Sequence, residues 1–195
     1  MNTPTSSKIV QFYCQAIYFL DAAMAVSKDA AENKHKHPIA YNNYEVVIVG
    51  THHAFAMEIM LKAYILFHTG TYPHDHSIHK LMDDSACHQL KIDTQKKFEK
   101  SNAYAYTKTQ LNSALDSYVS SLDQNKKNDR KAYQNIKDLR KNEVFGSFEY
   151  FLKLHSNNFV RMRYACERLP PPLDMNFTSF LCSVLKDALK TALNL

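Results

Sequence analysis

Charges four residues from an opposite charge lie inside otherwise apolar, helix-periodic sequence at two places: Glu58 and Lys62 in the run from His52 to Phe67, and Arg163 and Glu167 in the run from Leu154 to Glu167. Residues at i and i+4 share a helix face, and burying the apolar residues around them obliges the charged heads to find partners. Thr51, Phe55, Glu58, Lys62 and Ile65 fall on one face of a helical wheel, and Glu four residues before Lys is the favourable order on a helix. Two chemistries follow. As a structural device, Glu58, Lys62, Arg163 and Glu167 form one interhelical cluster that fixes register. As a functional device, the same charges line a polar pocket for a phosphate or a base, with the arginine fork on the phosphate and Tyr164 as a stacking face.

Other constellations carry less. In His74-x-His76-x-x-His79, with Asp75 between, three imidazoles are spaced for zinc or copper, but no cysteine or carboxylate is placed by sequence as a fourth ligand. His52 and His53 diverge by about 100° on a helix and cannot face one ion together. Glu32-Asn33-Lys34-His35 is the single Glu-x-x-His element, too few for a di-metal bundle site. No metal and no cofactor is therefore expected. The chain has no Gly-x-Ser-x-Gly elbow and no phosphate-cradling glycine loop. Acid–base chemistry would have to pair Arg161 or Arg163 with a histidine from elsewhere, His52, His53, His76 or His155.

Long helices must position these groups. With 195 residues, 45% of them apolar, and only three glycines and six prolines, the chain fits one all-α domain spanning 1–195. The expected architecture is an up-and-down bundle of four to five main helices with one or two short extra ones. A first helix runs to about Asn33 from a cap at Ser6 or Ser7, with Ile9, Phe12, Ala16, Leu20 and Ala23 on one face. A second, from about Ile39 to Thr69, is apolar on most sides and stops at Gly70, which makes it the core of the bundle. Ser77 or Asp75 caps a short helix, a weaker amphipathic one spans about Cys87 to Ser101, and Thr107 caps another after a break at Ala103 to Tyr106. The basic, amide-rich stretch Gln124 to Asn135 reads poorly as any element. Helix resumes at about Ser147, ends at Pro170-Pro171-Pro172, and a last helix begins near Met175.

The formal charge of +5 permits acidic partners, RNA or nucleotides, without requiring them. Much of it lies at Lys126, Lys127, Arg130, Lys131, Lys137, Arg140 and Lys141, readable as a solvated helix face or a nucleic-acid site. Cys14, Cys87, Cys166 and Cys182 form no CxxC pair and read as small buried thiols of a reducing compartment. The polar Met1 to Ser7 is no secretory signal, and Glu58, Lys62 and two histidines interrupt the apolar stretch Val46 to Phe67, so a cytoplasmic protein without a membrane span is expected.

At these residues the sequence resembles the HEPN superfamily. The likeness lies in His-x-x-Phe-x-x-Glu-x-x-Leu-Lys-Ala-x-Ile-Leu (His52 to Leu66), the Gly70 loop, the helix start His76-Ser77-Ile78-x-x-Leu81, and Phe159-Val160-Arg161-x-Arg163-Tyr164-x-x-Glu167. The resemblance implies a helical bundle, frequent homodimers, and roles in RNA cleavage, toxin–antitoxin systems or phage defence, in some cases with a partner protein. Catalytic members carry an arginine followed four to six residues later by a histidine. Here Arg130, Arg140, Arg161, Arg163 and Arg168 all lack one at that offset. The expectation is a non-catalytic RNA- or nucleotide-binding or regulatory module, with a divergent metal-independent ribonuclease as the alternative.

Overall fold

The computed structural model describes residues 4–33, 40–123, 125–156 and 174–195, with side chains from 7 in the first segment and from 45 in the second. The protein is an all-α bundle, and no strand occurs among the described residues. Its helices are α1 (Pro4–Asn33), α2 (Ala40–Thr69), α3 (Ile78–Met82), α4 (His88–Glu99), α5 (Asn102–Ser121), α6 (Lys127–Lys141), α7 (Phe148–His155) and α8 (Met175–Leu193), with a short 3-10 turn at Ser85–Cys87.

The long helices α1 and α2 lie side by side. Phe12 meets Tyr72 just beyond the end of α2, whereas Phe19 stacks on Phe55 at 4.9 Å and meets His52, so the two run antiparallel. The buried positions of α1 recur every seven residues, Ile9, Ala16, Ala23 and Ala30. Three of the four are alanine, which lets the backbones approach closely along a narrow seam. Phe12 and Leu20, expected on the same face, are half-buried against the core.

On its other side α2 packs against α8, whose Phe177, Leu181, Leu185 and Leu189 form a buried stripe. Met57, Met60, Leu61 and Ala63 are at most 1% exposed, so α2 is the core helix, apolar around most of its circumference because neighbours surround it. Leu66 is buried and Ile59 half-buried. Leu66→Ala should therefore cost about 2–5 kcal/mol and Ile59→Ala less, read as denaturant midpoints.

An aromatic knot closes the bundle. The ring of Phe98 on α4 lies 5.2 Å from Phe177 and from Phe180 on α8, 5.9 Å from Phe148 and 6.0 Å from Phe151 on α7. Near Ser77 the chain is tied to the end of α7: the Ile78 amide donates to the Ser156 carbonyl, the His79 amide donates to Ser156 Oγ, and the Ser77 and Ser156 hydroxyls share a hydrogen bond.

Several local expectations are corrected. Helix α1 begins at Pro4 rather than at a Ser6 or Ser7 cap, in keeping with the tolerance of proline in a first turn. The break at Ala103 to Tyr106 does not exist, because Ser101 caps α5 by accepting from the Tyr104 amide while the Tyr104 ring packs on Phe98 at 5.4 Å. Thr107 is buried inside that helix instead of capping it. Much of the amide-rich stretch is the start of α6, held on α5 by the Arg140–Asp116 ion pair at 2.6 Å and by the buried Ile136. Cys87 and Cys182 are buried as expected, but Cys14 is exposed. Cys166 and the part beyond Ser156 of the helix expected from about Ser147 to Pro170 lie outside the described residues. By length and composition, Ser7–Glu32 of α1 passes for a membrane span as readily as Glu45–Thr69 of α2, yet 61% of the α2 window is buried and 17% of the α1 window.

Candidate functional site

Glu58 and Lys62 are one turn apart on α2, both facing inward, and Lys62 Nζ donates to Glu58 Oε1 at 2.8 Å. Their side chains are 9% and 11% exposed, which leaves the pair almost dry. The all-round apolarity of α2 explains this: a charge there has few directions other than another charge on the same helix. His76 completes the group. Its Nδ1 lies 2.8 Å from the same Glu58 oxygen while the ring remains 59% exposed at the surface. Glu58 Oε2, equally buried, has no hydrogen-bond partner among the described residues.

The loop after α2 delivers His76. Gly70 takes φ +76°, a left-handed conformation that suits glycine at a helix C-terminus, and the chain turns back. Asp75 then accepts from the Ser77 amide at 2.8 Å and from Lys80 Nζ at 3.0 Å, and Ser77 caps α3 by accepting from the Lys80 amide. Either residue was expected to cap, and both contribute.

The other histidines go elsewhere. His52 lies with Nδ1 2.7 Å from the Ile48 carbonyl and its ring edge-on to Phe19. His53 points the opposite way into the core, 3.2 Å from Thr178 Oγ1, and burial pushes its pKa down to about 4. His155 is 1% exposed and stacked on Phe177 at 5.2 Å, and burial lowers it likewise to about 4. Both are core histidines that do not face a substrate, which removes them from the acid–base candidates. Arg161, Arg163, Tyr164 and Glu167 lie outside the described residues. Of the sequence candidates, the structure thus brings together Glu58, Lys62 and His76.

A second polar group escaped the sequence reading. His79 on α3 places Nε2 2.7 Å from Glu149 Oε1 and Nδ1 3.3 Å from Asp83 Oδ2. Lys91 on α4 bridges Asp83 and Glu149, and Lys153 reaches Glu149 at 3.1 Å. The spacings His79/Asp83 and Glu149/Lys153 were visible as i,i+4 pairs, but nothing in the sequence joins α3, α4 and α7. Three of these residues have the types and spacing of a metal site. Yet the ring spans its two carboxylates by opposite nitrogens, and Lys91 supplies a cation between them, so the group is complete as an ionic clamp. The histidines of His74-x-His76-x-x-His79 do not converge, since His76 turns to Glu58 and His79 to Glu149.

The clamp and the core histidines set a pH dependence. Burial works to raise Glu149, but hydrogen bonds from Lys91, His79 and Lys153 outweigh it and hold the carboxyl at about 2. A depressed carboxylate contributes stability that is present above its ordinary value near 4.5 and lost as pH falls towards 2. His53 and His155 stay neutral in the fold and charge more readily when unfolded, so stability also declines between about 6.5 and 4. Thermal melts across pH should show both declines, with Glu149→Gln flattening the lower window and His53→Leu the upper one. An unchanged profile in either variant would contradict its assignment.

Comparison with known proteins finds no matching family model, no similar curated protein and no similar solved structure.

Proposed function

We propose that this chain is a HEPN-like helical module that binds RNA or a nucleotide without cleaving it, as a cytoplasmic homodimer with a binding or regulatory role. A toxin–antitoxin or phage-defence system, with or without a partner protein, is the setting that the HEPN likeness implies. The observation that supports the reading best is the centre formed by Glu58, Lys62 and His76: a buried carboxylate with one unpartnered oxygen among the described residues, backed by an ammonium and rimmed by an exposed imidazole. The exposed imidazole is the group of this centre that a phosphate or a base edge can reach, and the buried Glu58–Lys62 pair behind it fixes its orientation. Purified protein incubated with total RNA, with and without a chelator, should retain RNA and leave it intact, and His76→Ala should weaken retention. Absence of binding would overturn the reading.

One observation favours a second reading. An exposed imidazole held by a buried carboxylate is an acid–base arrangement, so a divergent ribonuclease would use His76 as acid or base, Glu58 to position it, and Arg161 or Arg163 on the phosphate. Chelator-insensitive cleavage that His76→Ala abolishes would select it.

Assembly is tested separately. Val10, Tyr18 and Met24 are exposed on α1, apolar surface that a homodimer would cover. Light scattering at micromolar concentration should give twice the 22.5 kDa chain mass, and a monomer would contradict the dimer.

A further inference from the structure

Helix α6 divides sharply into two sides. Ile136 is buried and Ala132 and Leu139 are half-buried, all turned onto the protein, and Arg140 faces α5 to pair with Asp116. Lys127, Arg130, Lys131, Lys137 and Lys141 are exposed, and none forms an ion pair with a described residue. At 100° per residue these five cations fall within an arc of about 120° and extend along about 21 Å of helix. One carboxylate shares that arc, Asp138, which accepts a hydrogen bond from Gln134. Lys127 stands at the helix N-terminus, where the macrodipole already disfavours a cation and a phosphate would relieve both.

An aromatic cleft adjoins the other end. It has a volume of about 480 Å³, and Leu139, Asn142, Phe145 and Tyr150 are among its lining residues, with the Phe145 and Tyr150 rings edge to face at 5.2 Å. That volume lies in the range of small-ligand pockets and admits a nucleobase. A row of cations that meet no described carboxylate, on a helix whose C-terminal end borders an aromatic cleft through Leu139 and Asn142, has the features of single-strand recognition, a backbone track near a stacking platform.

We propose that the basic face of α6 and the cleft at its C-terminal end form a binding surface for single-stranded nucleic acid, with phosphates on the five cations and one base in the cleft. An anionic membrane fits less well. A helix that lies on a bilayer turns its apolar side outward into lipid, whereas α6 buries its apolar side against the protein. The inference shares its ligand class with the function proposed above but rests on a different surface from the Glu58 centre.

The test is fluorescence anisotropy of the full chain with a labelled oligouridylate, titrated between about 50 and 200 mM salt. Five phosphate contacts predict a log–log salt slope of about −3.5 and an affinity loss of about 100-fold across that range. The triple change Lys127→Glu, Arg130→Glu and Lys131→Glu should abolish binding at low salt, and the corresponding Gln variant should lower the slope to about −1.4. These exposed substitutions should leave thermal melting unchanged. Phe145→Ala should weaken binding without altering the slope. Wild-type affinity in the triple variant, with binding lost in His76→Ala, would overturn this surface while sparing the Glu58 centre. A wild-type chain that binds no oligouridylate at low salt would overturn this surface, with the Glu58 centre still tested by total RNA, and one that binds phosphatidylserine vesicles instead would assign the face to a membrane.

Discussion

Replacing Phe98 with alanine will destabilise the protein by about 3–5 kcal/mol, the range for a large aromatic removed from a core that cannot collapse around the gap. Phe98 is fully buried, and its ring touches Phe148 and Phe151 on α7, Phe177 and Phe180 on α8 and Tyr104 on α5. Three helices therefore lose a shared partner at once, and relaxation of one would open space against another. Phe98→Leu, which retains much of the volume, should cost less than the alanine change. Chemical denaturation of the two variants reads the difference directly. An alanine variant within about 1 kcal/mol of wild type would show that α4 is not integral to the core.

Breaking the buried pair on α2 will cost a similar amount for a different reason. Lys62→Met leaves the Glu58 carboxylate, 9% exposed, without the ammonium that meets it at 2.8 Å. Loss of one partner from a buried pair costs about 3–5 kcal/mol, against about 0–1 kcal/mol for an exposed one. The double variant Glu58→Gln with Lys62→Met should be more stable than Lys62→Met alone, because it removes the stranded charge as well. Additive costs would contradict the coupling. The same cycle extends to Arg163, the partner that the sequence leads one to expect. Glu58→Gln with Arg163→Met should couple if Arg163 serves Glu58 Oε2, which meets no partner among the described residues, and additive effects would break the four-residue cluster into two separate pairs.

Helix content, the central place of α2, the α8 stripe and the Glu58–Lys62 pair follow from the sequence alone. Each is a statement about residues within four positions of one another, where a helical period fixes which side chains share a face. Asp174, which caps α8 by accepting from the amides of Asn176 and Phe177, belongs to the same local class. The tertiary structure decided the rest. His53 and His76 differ little as letters, but packing against α8 dries one into the core and the turn at Gly70 carries the other to the surface beside Glu58. Thr107 looked like a cap until Tyr104, anchored on Phe98, carried the helix through the expected break. The clamp of His79, Asp83, Lys91, Glu149 and Lys153 joins residues up to 70 positions apart, and its partners are chosen by how α3, α4 and α7 meet. Periodicity dictates which face a residue occupies; only the packing of helices dictates what that face will meet.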